Sequence, residues 1–251
     1  MLNQFVVAWQ FLTIIPVSRR HHVLESEQLA HSMIWFPAVG LAVGALLVGA
    51  MWLLETALSR TVSDGLVVVL LIILTRGLHL DGLADTIDGW GGGRTPERRL
   101  AIMRDPRIGA MGAMALVAAV GLRYLGLSAL PDQGRWLAVA SMPLVGRWAM
   151  AVAGLRMPYA RAEGGMAQPF LDHLKSEHVL LATIFAGIWL VWCFGPTGGF
   201  SVLALSGLTA RGIALLSRRL CGGITGDVFG LINEVTEIAF LIGAPALLSR
   251  R

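Results

Sequence analysis

Asp81, Asp85 and Asp88 stand close together in a glycine-punctuated stretch, His79 to Arg94, of a chain that otherwise avoids charge. If the segment is helical, spacings of four and three place the carboxylates within roughly 60° of one another, since each residue turns about 100°. Three anions on one face repel and need a proton, a cation or water between them. A divalent metal is the least costly solution where the ligand to be bound is itself anionic. The plain alternative is a solvated helix start, where acidic side chains suit the positive end of the helix dipole and bind nothing. The surroundings weigh against that, because Gly65 to Thr75 before the stretch and Ile108 to Leu122 after it carry no charge. The acidic helix therefore sits at the mouth of hydrophobic segments.

Three further segments carry polar groups suited to chemistry: Arg104-Asp105-Pro106-Arg107-Ile108-Gly109, Pro158-Tyr159-Ala160-Arg161 and Gly222-Gly223-Ile224-Thr225-Gly226-Asp227. The last combines flexible backbone, a hydroxyl and a carboxylate at a helix start, where exposed N–H groups suit phosphate oxygens. Carboxylates for a metal, arginines for phosphate charge and glycines for close backbone approach together suggest phosphoryl chemistry at a membrane face. Mg²⁺ held by a few carboxylates and by substrate phosphates would offset the charge of such a reaction. The chain has no GxxxxGK[ST] loop, so it is not a P-loop nucleotidase, and Gly91-Gly92-Gly93 alone does not make a nucleotide site. No arrangement of Ser, His and Asp argues for acyl transfer.

These residues must be positioned by hydrophobic helices. The 251 residues are 55% hydrophobic and only 14% charged, with a mean hydropathy of +0.69, against about 25% charged in soluble domains. Met33 to Leu54 is uncharged and long enough to cross a hydrocarbon core of about 30 Å. Val179 to Ala210 is also uncharged and reads as two helices joined by a tight turn at Gly195-Pro196-Thr197-Gly198-Gly199. Further spans are expected over Gly65 to Leu80, Ile108 to Leu130, Trp136 to Leu155 and the segment bearing Glu234 and Glu237. The reading is an all-α, polytopic transmembrane helical bundle of about seven spans. It forms one domain over 1–251, with an N-terminal interfacial segment at 1–32 and the bundle at 33–251. Gly40 and Gly44 are spaced to let a second helix approach closely. Arg123, Arg147 and Arg211 fall inside spans as available partners for Asp227, Glu234 and Glu237, either as structural ion pairs or as part of a site. Two cysteines are too few for a disulfide framework or a zinc site. His21 and His22 beside Arg19 and Arg20 read as a juxtamembrane patch, and Met1 to Ile15 lacks the pattern of a cleavable signal peptide. The net charge of +4 is dispersed among the spans, so no nucleic-acid partner is expected. Its distribution puts the motif-bearing segments on the cytoplasmic side, with Arg60 and Arg135 opposite.

The segment His79 to Gly89, Arg104 to Gly109, Pro158 to Arg161 and Gly222 to Asp227 resemble, in order, the signature segments of the cobalamin synthase family, the adenosylcobinamide-GDP ribazoletransferases. The likeness extends to Gln10 to Pro16 and to Phe36 to Gly40. It implies the last joining step of cobalamin (vitamin B12) synthesis. There α-ribazole or its 5'-phosphate is joined to adenosylcobinamide-GDP through attack of a hydroxyl or phosphate oxygen, with GMP leaving and Mg²⁺ required. On spacing and resemblance together, Asp81, Asp85 and Asp88 are the expected metal ligands, and Asp105 or Asp227 the group that orients or deprotonates the nucleophile. Arg94, Arg104, Arg107 and Arg161 are expected on phosphates, with Thr225 and Gly226 shaping the pocket. The expected setting is the bacterial cytoplasmic (inner) membrane, in contact with lipid, with the active face towards the cytoplasm; small-residue faces permit a homo-oligomer. Two other classes fit polar groups among spans. An ion-coupled transporter would place its carboxylates near the midplane, on broken helices in inverted repeats. A scaffold would lose assembly rather than a reaction when its aspartates are replaced.

Overall fold

A computed structural model describes residues 2–17 and 26–248; Arg19, Arg20, His21, His22, Arg250 and Arg251 lie outside the described residues. The helices are α1 (Leu2–Leu12), α2 (Ser26–Ser32), α3 (Phe36–Leu54), α4 (Arg60–Leu74), α5 (Leu78–Gly92), α6 (Pro96–Ile102), α7 (Ala110–Ser128), α8 (Arg135–Gly154), α9 (Gln168–Asp172), α10 (Ser176–Cys221) and α11 (Gly226–Leu248). Among the described residues the sole β-type pairing is an isolated bridge between Tyr159 and Ile224. Five helices are long and apolar enough to cross a membrane, and the α4–α5 pair makes a sixth if taken as one bent span. The remaining crossing is hidden inside α10. Gly195 adopts φ 71° and ψ 171° there, a conformation open to glycine, and Pro196 disfavours helix in the residue before it. Gly199 then packs on the backbone of Leu190 and Val191, so the arms 176–194 and 196–221 fold back as an antiparallel hairpin. The count of about seven spans thus holds if both arms cross the membrane.

The span expected over Gly65 to Leu80 is corrected: α4 ends at Leu74 and α5 leaves it at 85°. Arg76 and Gly77 are consecutive left-handed residues, with φ 53° and 66°, and two such residues redirect the chain where a helix would continue. The acidic helix α5 is therefore aimed by this turn, not by the axis of α4.

At the centre stands α8, 94% of whose apolar window is buried, packed by α3, α10 and α11. Gly40 and Gly44 of α3 lie against the backbone of Pro143 and Ala140 with no room for side chains, the close approach their spacing predicts. Outward-facing Trp52, Val117, Ile188, Trp192 and Leu208 form the exposed apolar surface that a lipid environment requires. Ala8 and Leu12 of α1 are fully buried in the main core with Met33 and Phe36, so this helix is part of the bundle wall.

Charges inside the bundle are paired. Arg123 bridges Glu234 and Glu237, each at 2.8 Å, and Arg147 pairs with Glu237. Two cations and two anions leave this cluster neutral, which offsets part of the cost of burying them. Arg211 does not join it: its guanidinium donates to the carbonyls of Ala153 and Leu155, at 3.3 and 2.8 Å. At the end of the bundle away from α5, Arg135 pairs with Glu55 and Asp64, and Arg60 with Asp132, locking α3, α4 and α8 together.

Candidate active site

Glycines bring the acidic helix to its partners. A Cβ on Gly82 would lie 2.7 Å from the Asp227 carbonyl oxygen, and one on Gly230 would lie 2.7 Å from that of His79. Only bare backbone lets α5 and α11 touch here, and the contact sets Asp81 and Asp85 beside Asp227. The half-buried Asp85 feels the negative charges of Asp81, Asp227 and Asp88 and the opposing charge of Arg161.

Arg161 is delivered from a loop. Its segment is tied to the one preceding α11 by two backbone hydrogen bonds, Ala160 N–H to Ile224 O and Ile224 N–H to Pro158 O, both 3.0 Å. Gly223 fits against Pro158 and Ala160 without room for a side chain. Two segments far apart in sequence thus become one short ribbon. Across it, Arg161 Nη2 donates to Asp227 Oδ2 at 2.7 Å and the Thr225 hydroxyl donates to the same oxygen at 3.1 Å. Arg161 Nε is buried without a hydrogen-bond partner among the described residues.

The third segment meets the far end of the aspartate row. Asp88 accepts the backbone N–H groups of Gly109 and Gly112, at 2.7 and 2.8 Å, and so caps the start of α7. Arg107 forks onto Asp105, with Nε to Oδ1 at 2.9 Å and Nη2 to Oδ2 at 2.7 Å, while its own N–H donates to Oδ1 at 3.0 Å. These bonds hold the Asp105 carboxyl down to about 2. Arg104 pairs with Glu163, joining this loop to the Arg161 loop. Arg94 is exposed and makes no hydrogen bond or ion pair among the described residues. Gly226 lies at the open start of α11.

Hollows flank the row. One, of about 110 Å³, is lined by Asp81, Asp227, Gly226 and a largely aromatic and methionine wall. The other, of about 500 Å³ and more open, is lined by Asp88, Asp105, Arg107 and Gly109. The row Asp81, Asp85, Asp88 connects them. Among the described residues no three His, Cys, Asp or Glu side chains close around a single ion position. The three aspartates expected as one ligand set are thus spread along the row, Asp88 being turned to its cap. The donor chemistry nonetheless suits Mg²⁺, a hard cation that takes one or two carboxylates and completes its shell with water and phosphate.

Some of this was not to be read from the sequence. Glu163 carries no spacing signal, and its role appears only when two loops meet. Arg99 looks like a surface residue of a basic run, yet it donates to the Leu220 carbonyl at 2.8 Å. Phe11 and Phe170, in contact at a centroid distance of 4.7 Å, are brought to one hollow by packing alone.

Fold and site define a polytopic membrane protein with a carboxylate- and arginine-lined polar site at one end of its bundle. Comparison with known proteins narrows this. The family described as Cobalamin-5-phosphate synthase matches residues 4–245, and the chain belongs to that family. The adenosylcobinamide-GDP ribazoletransferase of Syntrophobacter fumaroxidans is 39% identical over 250 residues, covering 98% of this chain and 100% of that protein. Proteins of the same name from Chlorobaculum parvum and Geotalea daltonii are 37% and 38% identical, over 95% and 98% of this chain and 93% and 98% of their own lengths. No solved structure matches the chain.

Proposed function

We propose that this chain is an adenosylcobinamide-GDP ribazoletransferase that requires Mg²⁺ and works at the cytoplasmic face of the bacterial inner membrane. The observation that carries this reading is the meeting of three segments at the acidic helix: the start of α7 through Gly109 and Gly112 on Asp88, the start of α11 through the backbone of Asp227 on Gly82, and the Arg161 loop through Arg161 on Asp227. The relatives' shared name speaks of adenosylcobinamide-GDP and a ribazole group, which supports adenosylcobinamide-GDP and α-ribazole as the substrates; its 5'-phosphate is the second acceptor of this reading.

Free α-ribazole has no phosphate, so the nucleophile common to both acceptors is a ribose hydroxyl. Its oxygen bonds to the phosphorus next to cobinamide while the bond from that phosphorus to GMP breaks, and the hydroxyl proton passes to a carboxylate. Asp227 suits this role, because it lines the enclosed hollow and Arg161 and Thr225 fix its orientation. Asp105, held near 2 by Arg107, is a weaker base and serves to orient the Arg107 loop. Arg161, beside Asp227, and the exposed Arg94, Arg104 and Arg107 bind phosphate oxygens. Asp81 and Asp85 would hold Mg²⁺, which would neutralise the diphosphate, while Asp88 stays on the start of α7. Thr225 and Gly226 shape the approach to Asp227.

The test is release of GMP and formation of the joined corrinoid by protein in lipid nanodiscs, with each substrate omitted in turn. Product only when both are present is the expected result. No product from folded protein supplied with both substrates and Mg²⁺ would contradict the reading and return the aspartates to an ion-coupled transporter.

A further inference from the structure

The hollow beside Asp227 has a construction that the phosphoryl chemistry does not call for. Its walls come from helices scattered along the chain: Phe11 from α1, Phe36 from α3, Met150 from α8, Phe170 from α9 and Phe229 from α11. Phe170 lies 4.7 Å from the Phe11 ring centroid and 5.8 Å from that of Phe36, and it is buried. Polar groups are few. Asp81 and Asp227 stand among the lining residues, and His79, whose Nε2 has no hydrogen-bond partner among the described residues, is another. At about 110 Å³ the space is of the order that takes one small aromatic group, near the roughly 150 Å³ of a cavity that binds benzene.

Three parts of the substrates compete for such a place. A corrinoid is too large. Guanine carries several donors and acceptors along its edge, and a wall this apolar would leave most of them unpaired, at a cost for each. A benzimidazole is flat, uncharged and apolar but for one free ring nitrogen, and it suits aromatic walls softened by methionines that adjust to its outline.

We propose that this hollow binds the benzimidazole of α-ribazole, with the attached ribose turned towards Asp227 and Asp81. The inference rests on the function proposed above. It adds the place of the acceptor and leaves the open hollow at Asp88 and Asp105 to the other substrate. The order of the site follows, since the nucleoside enters base first and its hydroxyl meets Asp227 at the mouth.

The experiment is initial-rate kinetics on the full chain in nanodiscs, with free 5,6-dimethylbenzimidazole as inhibitor, joined to equilibrium dialysis of labelled α-ribazole. The free base is expected to compete with α-ribazole and not with adenosylcobinamide-GDP. Ala167→Phe, which adds bulk at a buried wall position, is expected to raise KM for α-ribazole about tenfold or more, a loss of the kind that follows filling a pocket. KM for adenosylcobinamide-GDP should stay put. Phe170→Ala, which removes wall instead of adding it, should also weaken α-ribazole and serves if the bulkier variant does not fold. Competition of the free base with adenosylcobinamide-GDP, or folded variants with unchanged α-ribazole affinity, would overturn the assignment. Absence of turnover in the unaltered protein would instead count against the proposed function, and the dialysis would still decide the hollow: α-ribazole held by the unaltered protein and lost in the variants supports it, and no binding overturns it.

Discussion

Asp227 Oδ2 is shared by Arg161 and Thr225. Lysine would preserve the charge but could not hold Asp227 and a phosphate oxygen in one plane. Arg161→Lys is therefore expected to lower kcat/KM by about 10- to 100-fold, or roughly 1.4 to 2.7 kcal/mol of lost transition-state binding. Arg219→Lys, at an exposed position, should leave it unchanged; equal effects of the two would contradict the role given to Arg161. Asp105 makes a different prediction. A carboxyl held near 2 is fully ionised across the working range, its low value favouring the charged form above the ordinary carboxyl pKa of about 3.9. Asp105→Asn should thus scale turnover by the same factor at every pH between about 5 and 9, where an ordinary carboxyl is also ionised. A shifted acid limb in that variant would show that Asp105 titrates during turnover.

At the scale of elements, function depends on where helices touch. The contact of α5 with α11 at Gly82 leaves a Cβ 2.7 Å from backbone, so Gly82→Ala must part the two helices. Overpacking of this sort costs roughly 1 to 3 kcal/mol, and it moves Asp81 and Asp85 away from Asp227. Turnover should fall further than the melting temperature alone would account for. Gly65→Ala, where no atom lies within 4 Å of the added carbon, is the matched control, and a Gly82→Ala protein with normal turnover would show that the contact is not needed.

The aspartate row was legible because helical spacing is a local property: Asp81, Asp85 and Asp88 fall on one helix as their intervals require. The hairpin in α10 was legible for the same reason, in Gly195 and Pro196. The 85° turn into α5 was not, since nothing in Arg76 announces a left-handed residue. Nor was the Asp88 cap on Gly109 and Gly112, or the ribbon joining Tyr159 to Ile224. These are pairings between distant segments, and a single sequence carries no record of which segments meet. The arginines within spans were half legible: Arg123 and Arg147 found glutamates, while Arg211 found backbone carbonyls.

Across the whole molecule, the buried cluster of Arg123, Arg147, Glu234 and Glu237 ties α7, α8 and α11 together beneath the site. Each member is covered by the others, so removing one strands its partners. Glu237→Ala leaves Arg147 without its anion and Arg123 with Glu234 alone, and it is expected to destabilise the protein by about 3 to 5 kcal/mol, read as a lowered melting temperature in detergent. An unchanged melting temperature would show that water or lipid reaches the cluster. A neutral, paired cluster of this kind also differs from the carboxylates of an ion-coupled transporter, which must bind and release their cation. The acidic groups that line the two hollows, Asp81 and Asp227 in one and Asp88 and Asp105 in the other, stand apart from this cluster at one end of the bundle.

The central claim is that this row runs a transfer reaction, and Asp85 is its most telling member. It lies between Asp81 and Asp88, under the charge of Asp227 and Arg161, and among the described residues it makes no hydrogen bond or ion pair that would give it a purely structural task. The decisive measurement is kcat of Asp85→Asn in nanodiscs, with adenosylcobinamide-GDP, α-ribazole and saturating Mg²⁺, beside a melting curve for the same preparation. A fall of about a hundredfold or more, the scale expected when a group acting on developing charge is lost, with an unchanged melting temperature is the predicted result. Turnover near that of the unaltered protein would contradict the account.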